Sequence, residues 1–512
     1  MKTKNLLLAA FFSVFAESIS AQVTFQRLYR GIGEYEGFFA EQTADGGYVI
    51  AGRNFLVRTD GYGSLLWGKT YNDGNAECVH QTSDGGYVMA GTYYSAANFY
   101  DGFVRKTDSV GNVLWVNRVG GPDYEKLYYV EETTDGGYIL SGIARDSLSL
   151  MHLYLVKLDA SGNQSWSKLF RYISGTKVKQ TADGGFIIAG AVQNGCDIYN
   201  GSLLKTDSVG NVLWTKDYCD PSLDEYSFVD VRPTTDGGYI IAGSVRIPQT
   251  IFFADFFLMK TDSAGNITWQ KAYTDNQTGG SAFYAVQQAA DGYVAAGLST
   301  DFPAILRAAI LVKTDTAGNV LWGKAYGDAP NGVHFAKSVQ QAADGGFVLG
   351  GHAIPVGAMG TDKYFYLIKT DSAGNSGCRE ANIYPSIWYT SMQAVPAVST
   401  TSAGENSAPL AVTATSGAND YDYCNFVFTD VKEYLPGTFT IYPNPVSGNF
   451  TVSFRETLDN ASIIIFNTLG EKVYTRVFSG KQETIERELD KGIYFICITD
   501  GNERWTQKII KQ

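Results

Sequence analysis

Few residues in this sequence have types and spacing that could do chemistry. Its four histidines, His80, His152, His334 and His352, stand in unrelated contexts and offer little for a metal site or an acid–base pair. Glu41, Glu77, Glu131 and Glu132 could furnish carboxylates for a hydrolase or lyase, but they show no repeat-equivalent spacing. Asp60, Asp108, Asp159, Asp207, Asp262, Asp315 and Asp371 each open a short Gly-containing turn that could be imagined to hold calcium. Each turn brings one carboxylate, whereas calcium takes six or more oxygens, so these side chains are expected to bond turn amides instead. No catalytic constellation is visible, and neither metal nor cofactor is expected. What remains is recognition chemistry: Tyr93, Tyr94, Phe99, Tyr100, Tyr199 and Phe252 for stacking, and Arg145 and Arg246 for carboxylates.

A repeat must position these groups. TADGGYVIAG (43–52) recurs as TSDGGYVMAG (82–91), TTDGGYILSG (133–142), TADGGFIIAG (181–190), TTDGGYIIAG (234–243), AADGYVAAG (289–297) and AADGGFVLGG (342–351). A companion turn such as KTDSAGNITW follows each copy, ending at Trp67, Trp115, Trp166, Trp214, Trp269 and Trp322, and at Cys378 in the seventh. Successive aspartates of the first motif lie 39 to 55 residues apart, a period of propellers, solenoids or arrays. Asp-Gly and Gly-Asn favour tight hairpins, so each period holds four strands in an up-and-down meander. VTFQRLY (23–29) matches the fourth strand ITWQKAY (267–273) but has no turn motif before it, while the seventh repeat lacks its fourth strand. Such an offset closes a ring and removes sheet edges. The expectation is a seven-bladed β-propeller over 22–378, with the Trp residues packed between blades.

The two turn motifs hardly vary, as scaffolding does; the other two connections vary freely and share the opposite face. Variable loops on a rigid frame are where ligands bind, so this rim, with the aromatics and arginines above, is the expected binding face. Cys196 and Cys219 fall on it and are expected to pair, as are Cys378 and Cys424, while Cys78 and Cys497 lie in apolar strands as buried thiols.

Net charge of −12 would repel phosphates, which excludes a nucleic-acid role. Lys2 and Lys4, an apolar run over 6–15 and small residues before Gln22 form a secretory signal peptide over 1–21, too short to span a membrane. Residues 379–437 are rich in Ser, Thr and Ala, the composition of a linker. Alternating apolar strands return over 438–512 and suggest a small β-sandwich.

The paired motifs over 23–378 resemble secreted bacterial β-propeller repeats, and share their turn, glycine and Trp with quinoprotein repeats, though without a cofactor cage. Residues 438–512 closely resemble the sorting domain of type IX (Por) secretion cargo, on Tyr442-Pro443-Asn444-Pro445, Gly448, Asn467-Thr468-Leu469-Gly470, Gly492-Ile493-Tyr494 and the closing Lys508-Ile509-Ile510-Lys511. That resemblance implies an immunoglobulin-like sandwich, engagement of the type IX machinery, and a chain secreted or attached to the outer-membrane surface. The whole reads as an all-β, monomeric, non-enzymatic module that binds an extracellular protein or glycan. The rival is a polysaccharide hydrolase or lyase working in the central channel.

Overall fold

The computed structural model describes residues 22–30, 39–72, 74–94, 100–120, 124–145, 150–171, 173–193, 199–220, 225–246, 254–274, 280–300, 307–327, 332–355, 363–388, 392–396, 401–403, 407–409, 414–416, 419–422, 439–442, 446, 448–467, 472–487, 489–500 and 503–511. All regular elements among them are strands. They fall into two compact units, 1–426 and 427–512. The signal-peptide residues lie outside the described set.

Unit one is a seven-bladed propeller. In the fifth blade the strands are Glu225–Pro233, Tyr239–Arg246, Ala254–Thr261 and Ile267–Thr274, hydrogen-bonded in that order and antiparallel. First strands of neighbouring blades pack on one another around the axis. The ring closes as the repeat predicts: Phe25–Arg30 pairs with Tyr364–Lys369, with Phe25 opposite Lys369 and Tyr29 opposite Phe365.

Two contacts explain why the repeat is so regular. Each motif Trp crosses to the next blade, where it meets the aromatic of the D-G-G-aromatic turn, at 5.8 Å for Trp115–Tyr138 and 6.2 Å for Trp214–Tyr239. Phe25 takes the Trp position at the closing seam and lies 5.7 Å from Tyr48. The same Trp covers the next blade's turn glycine. Gly265 has φ 76°, and a Cβ there would stand 2.9 Å from Trp214, so the position excludes side chains twice over.

The second contact joins the two motifs within a blade. Lys106, Lys157, Lys205, Lys260, Lys313 and Lys369 are buried and reach Asp84, Asp135, Asp183, Asp236, Asp291 and Asp344; Arg58 and Asp45 do the same in the first blade. Burial works against ionisation of Asp135, but Thr133, Lys157 and the Gly137 amide outweigh it and hold the carboxyl at about 2. The companion-turn aspartates bond backbone amides: Asp108 Oδ1 accepts from Val110 and Asn112 at 3.0 and 2.7 Å.

The expected linker is corrected by the structure. Residues 380–422 run once around the outside of the ring and add a fifth, antiparallel strand to every blade. Glu380–Ile383 joins the sixth blade, Ser386–Trp388 the fifth, Gln393–Pro396 the fourth and Thr401–Ala403 the third. Ser407–Pro409 and Ala414–Ser416 follow on the second and first, and Asn419–Asp422 ends on Phe25–Arg30 of the seventh. The order is the reverse of the blades' order in the chain. A sheet edge asks only for backbone donors and acceptors, so a segment of small polar residues serves without the alternating pattern that marks a buried strand.

Unit two is one five-stranded sheet. Phe450–Asn467 is its long central strand, pairing with Phe439–Tyr442, Lys472–Ile485 and Gly492–Asp500; Glu503–Lys511 forms the edge. Register shifts between Ser453 and Ala461 break the long strand into two stretches; both pair with Lys472–Ile485, the first also with Phe439–Tyr442 and the second with Gly492–Asp500. Val452, Ile463, Ile465, Ile496, Ile498 and Ile509 fill its core. The described strands are joined in a single hydrogen-bonded network.

Candidate functional site

Six inner strands share one irregularity. Their pairing slips between Ala76 and Cys78, Leu127 and Tyr129, Gly175 and Lys177, Phe228 and Asp230, Phe283 and Ala285, and Ala336 and Ser338. A bulge leaves one residue without a strand partner and re-aims its side chain. The extra residues here include Glu77, Tyr128, Tyr284 and Lys337. They gather contacts from other blades: Lys337 Nζ stands 3.9 Å from the Tyr284 ring centroid, and Lys177 of the fourth blade donates to the Tyr284 carbonyl of the sixth at 3.0 Å. Burial pushes the Glu77 carboxyl up, and Lys126, Lys337 and Arg53 only partly draw it back, leaving it at about 7. A carboxyl titrating near neutrality is the kind of group general acid–base chemistry uses.

Closer to the turn-motif face, the residue two before each motif's first position forms a ring: Glu41, His80, Glu131, Lys179, Arg232, Gln287 and Gln340. Its acceptors bind the next blade. Gln340 Oε1 accepts from the Gln42 amide at 2.7 Å, Gln287 Oε1 from Gln341 at 2.8 Å, Glu131 Oε1 from Gln180 at 2.6 Å, and Glu41 from Gln81. The remaining three members are basic. Lys179 pairs with Glu131, and His80 Nδ1 lies 2.7 Å from Glu41 Oε2. Burial alone would lower the His80 pKa, but the Glu41 carboxylate raises it to about 9. Beneath the ring, Asp230 is fully buried between Lys177 at 3.2 Å and Arg232 at 3.6 Å. Burial opposes its charge, yet Lys177 and Arg232 keep its pKa below the usual carboxylate value. A cavity of about 200 Å³ opens at this end of the channel.

Glu41 and Glu131 therefore do occupy equivalent positions, which corrects the reading that the inner-strand carboxylates share no spacing. Glu132, one residue on, accepts from the Ser83 amide at 2.7 Å. Counting from the turn motif rather than between the carboxylates reveals the ring in the sequence. Of the histidines only His80 belongs to it; His152, His334 and His352 are buried within blades, His352 stacked on Phe335 at 4.4 Å.

On the opposite, loop-bearing face the structure brings part of the expected set together. Tyr93 and Tyr100 line a pocket of about 250 Å³ with Asn54, Tyr71, Asn72, Asn75 and Thr92. Tyr100 also meets Tyr124 edge-on at 5.2 Å, with Lys126 Nζ 4.9 Å from the Tyr100 ring and Arg145 5.1 Å from the Tyr124 ring. Arg246 is elsewhere on the rim, paired with Glu225 at 3.2 Å. Tyr94 stands opposite Tyr100 in the strand ladder, and Tyr199 opposite Gln193. Phe99 and Phe252 lie outside the described residues. Cys219 is a buried thiol, and its expected partner Cys196 lies outside the described residues. Cys378 is disulfide-bonded, and Cys424 likewise lies outside that set. Cys78 and Cys497 are buried thiols. In the sorting motif Tyr442 is exposed, Tyr494 is buried and donates to the Asp490 carbonyl at 3.0 Å, Gly492 has φ 158°, and Lys508 pairs with Phe495 across the edge ladder. Pro443, Asn444, Pro445 and Gly470 lie outside the described residues.

Comparison with known proteins adds the following. Residues 440–512 match the Por secretion-tail family, described as a secretion system C-terminal sorting domain. The match indicates an exported chain that is secreted or attached to the cell surface, and that engages the type IX machinery through this domain. No curated protein matches the sequence. Among solved structures the chain is similar to PorZ, a bacterial surface component of the type-IX secretion system of Porphyromonas gingivalis, with TM-score 0.34 and 10% identity over 91% of this chain and 69% of that one. It is also similar to a protein of unknown function from Dyadobacter fermentans, with TM-score 0.35 and 12% identity over 67% of this chain and 98% of that one.

Proposed function

We propose that this type IX cargo is a non-enzymatic binding module whose propeller captures an extracellular glycan in the loop-face pocket between the first and second blades. The pocket's chemistry supports the reading. Asn54, Asn72 and Asn75 carry carboxamides that both donate and accept, as neighbouring sugar hydroxyls require, and Tyr93 and Tyr100 offer flat apolar faces. Lys126 and Arg145 beside Tyr100 and Tyr124 extend the patch toward acidic sugars. A glycan array probed with the full mature chain tests this. Tyr93→Ala with Tyr100→Ala should weaken capture at least tenfold, by the loss of two stacking contacts; unchanged capture sinks the proposal.

A second reading, a polysaccharide hydrolase or lyase, draws support from one observation: Glu77 titrates at about 7 at a bulge near Lys126, Lys337 and Arg53. Chain ends released from an acidic polysaccharide by the wild type but not by Glu77→Gln would establish it. No release across a polysaccharide panel removes it.

A further inference from the structure

We propose a second ligand site at the turn-face end of the channel, where the uncommitted donors of a cavity rimmed by His80, Lys179, Arg232, Gln287 and Gln340 hold a small oxyanion group, carboxylate or phosphate. The ring's polar atoms divide into those already bonded and those left over. A backbone N–H can meet only the oxygen of a carboxamide, so the bonds from Gln341 and Gln42 commit Oε1 of Gln287 and Gln340 and leave their NH₂ groups over. Glu41 is satisfied by His80 and the Gln81 amide, and Glu131 by Lys179 and the Gln180 amide. Every acceptor of the ring that faces a neighbour is thus engaged.

Donors remain. His80 spends Nδ1 on Glu41, and its Nε2 is buried with no nitrogen or oxygen partner among the described residues, the Cys78 thiol being the other polar group beside the ring. Arg232 Nε is likewise buried without a hydrogen bond among the described residues, with Asp230 at 3.6 Å. The side chains of His80, Arg232 and Lys179 line the 200 Å³ cavity together with Glu41, the two glutamines and the apolar Phe39, Ala40 and Val339. Buried donors left unmet are costly, so a cavity of this kind is completed by a ligand with several acceptor oxygens. Charge agrees: three basic side chains, His80, Lys179 and Arg232, face two carboxylates, Glu41 and Glu131, while Lys177 and Asp230 beneath them offset one another. The volume admits an oxyanion or one sugar ring carrying it, and little more. This site is on the other face from the glycan pocket and stands without it.

Titration calorimetry on the full mature chain tests the site with three probes: inorganic phosphate, glucuronate and neutral glucose. Saturable binding of phosphate or glucuronate, with none of glucose, is expected; whichever anion binds tells whether the source is a free ion or a sugar acid. Gln287→Glu discriminates further. A glutamate there keeps the bond to the Gln341 amide, as Glu41 and Glu131 show in other blades, but replaces a donor by a negative charge. It should weaken anion binding at least tenfold with an unchanged melting temperature. Arg232→Gln, which places at this position the residue found in the sixth and seventh blades, should weaken anion binding likewise, with a lower melting temperature because Asp230 loses a partner, and serves if the first variant fails to fold. Absence of binding by either anion, equal binding of glucose, or binding indifferent to these substitutions overturns the proposal.

Discussion

His80 Nδ1 and Glu41 Oε2 stand 2.7 Å apart across the seam between the first and second blades. The pair ties two inner strands together at the axis and sets the charge of the channel's end. Glu41 raises the His80 pKa from its ordinary 6.5 to about 9 against the effect of burial. A histidine whose folded pKa is raised contributes stability that is complete below the unfolded value and lost as pH rises through the folded one. Thermal melts of wild type and His80→Gln should therefore differ most below pH 6.5, on the order of 2 kcal/mol, and converge above pH 9. A difference constant with pH would show that His80 is neutral.

Glu77 should behave in the opposite sense. Its carboxyl titrates at about 7 in the folded chain against 4.5 unfolded, so the folded state holds the extra proton and loses stability as pH rises between these values. Glu77→Gln should be more stable than wild type above pH 7 and match it near pH 4, as read from urea midpoints. Equal midpoints at both pH values would mean that Lys126, Lys337 and Arg53 fully stabilise the anion.

The encircling segment should be part of the folded propeller. A chain ending at Cys378 exposes seven outer strand edges and should melt several degrees below one ending at Phe426, with a greater tendency to aggregate. Limited proteolysis of the full chain should leave 380–422 with the propeller. Ready loss of 380–422 would show that the outer pairing contributes little. Binding experiments should accordingly use the longer fragment.

Gly265 tests the seam. Gly265→Ala places a Cβ 2.9 Å from Trp214 at a φ of 76° and should cost roughly 1–3 kcal/mol. Gly237→Ala is a useful control: its φ of 83° is equally strained, but nothing lies within 4 Å of the added carbon. A larger loss at 265 than at 237, measured by denaturant unfolding, isolates the Trp contact from backbone strain.

The ring of seven blades was legible because its determinants are local. Asp-Gly and Gly-Asn dictate hairpins wherever they occur, a Trp at a fixed offset needs a seam to fill, and VTFQRLY without a turn before it needs the far end of the chain. The sorting domain was legible as a run of specific short motifs. Tyr93 and Tyr100 were also within reach, since variable aromatic loops on an invariant frame stand out by contrast.

What only the tertiary structure decided are relations between residues that carry no local mark. Asn419–Asp422 pairs with Phe25–Arg30 along the backbone, and backbone bonds leave no side-chain pattern to read, so a strand girdle has the composition of a linker. Glu41, His80, Lys179 and Arg232 are ordinary polar residues on four separate strands; only closure of the ring turns them toward one axis. The sequence therefore determined the scaffold, whose contacts repeat from copy to copy, while the sites lie where the copies differ and meet only once folded.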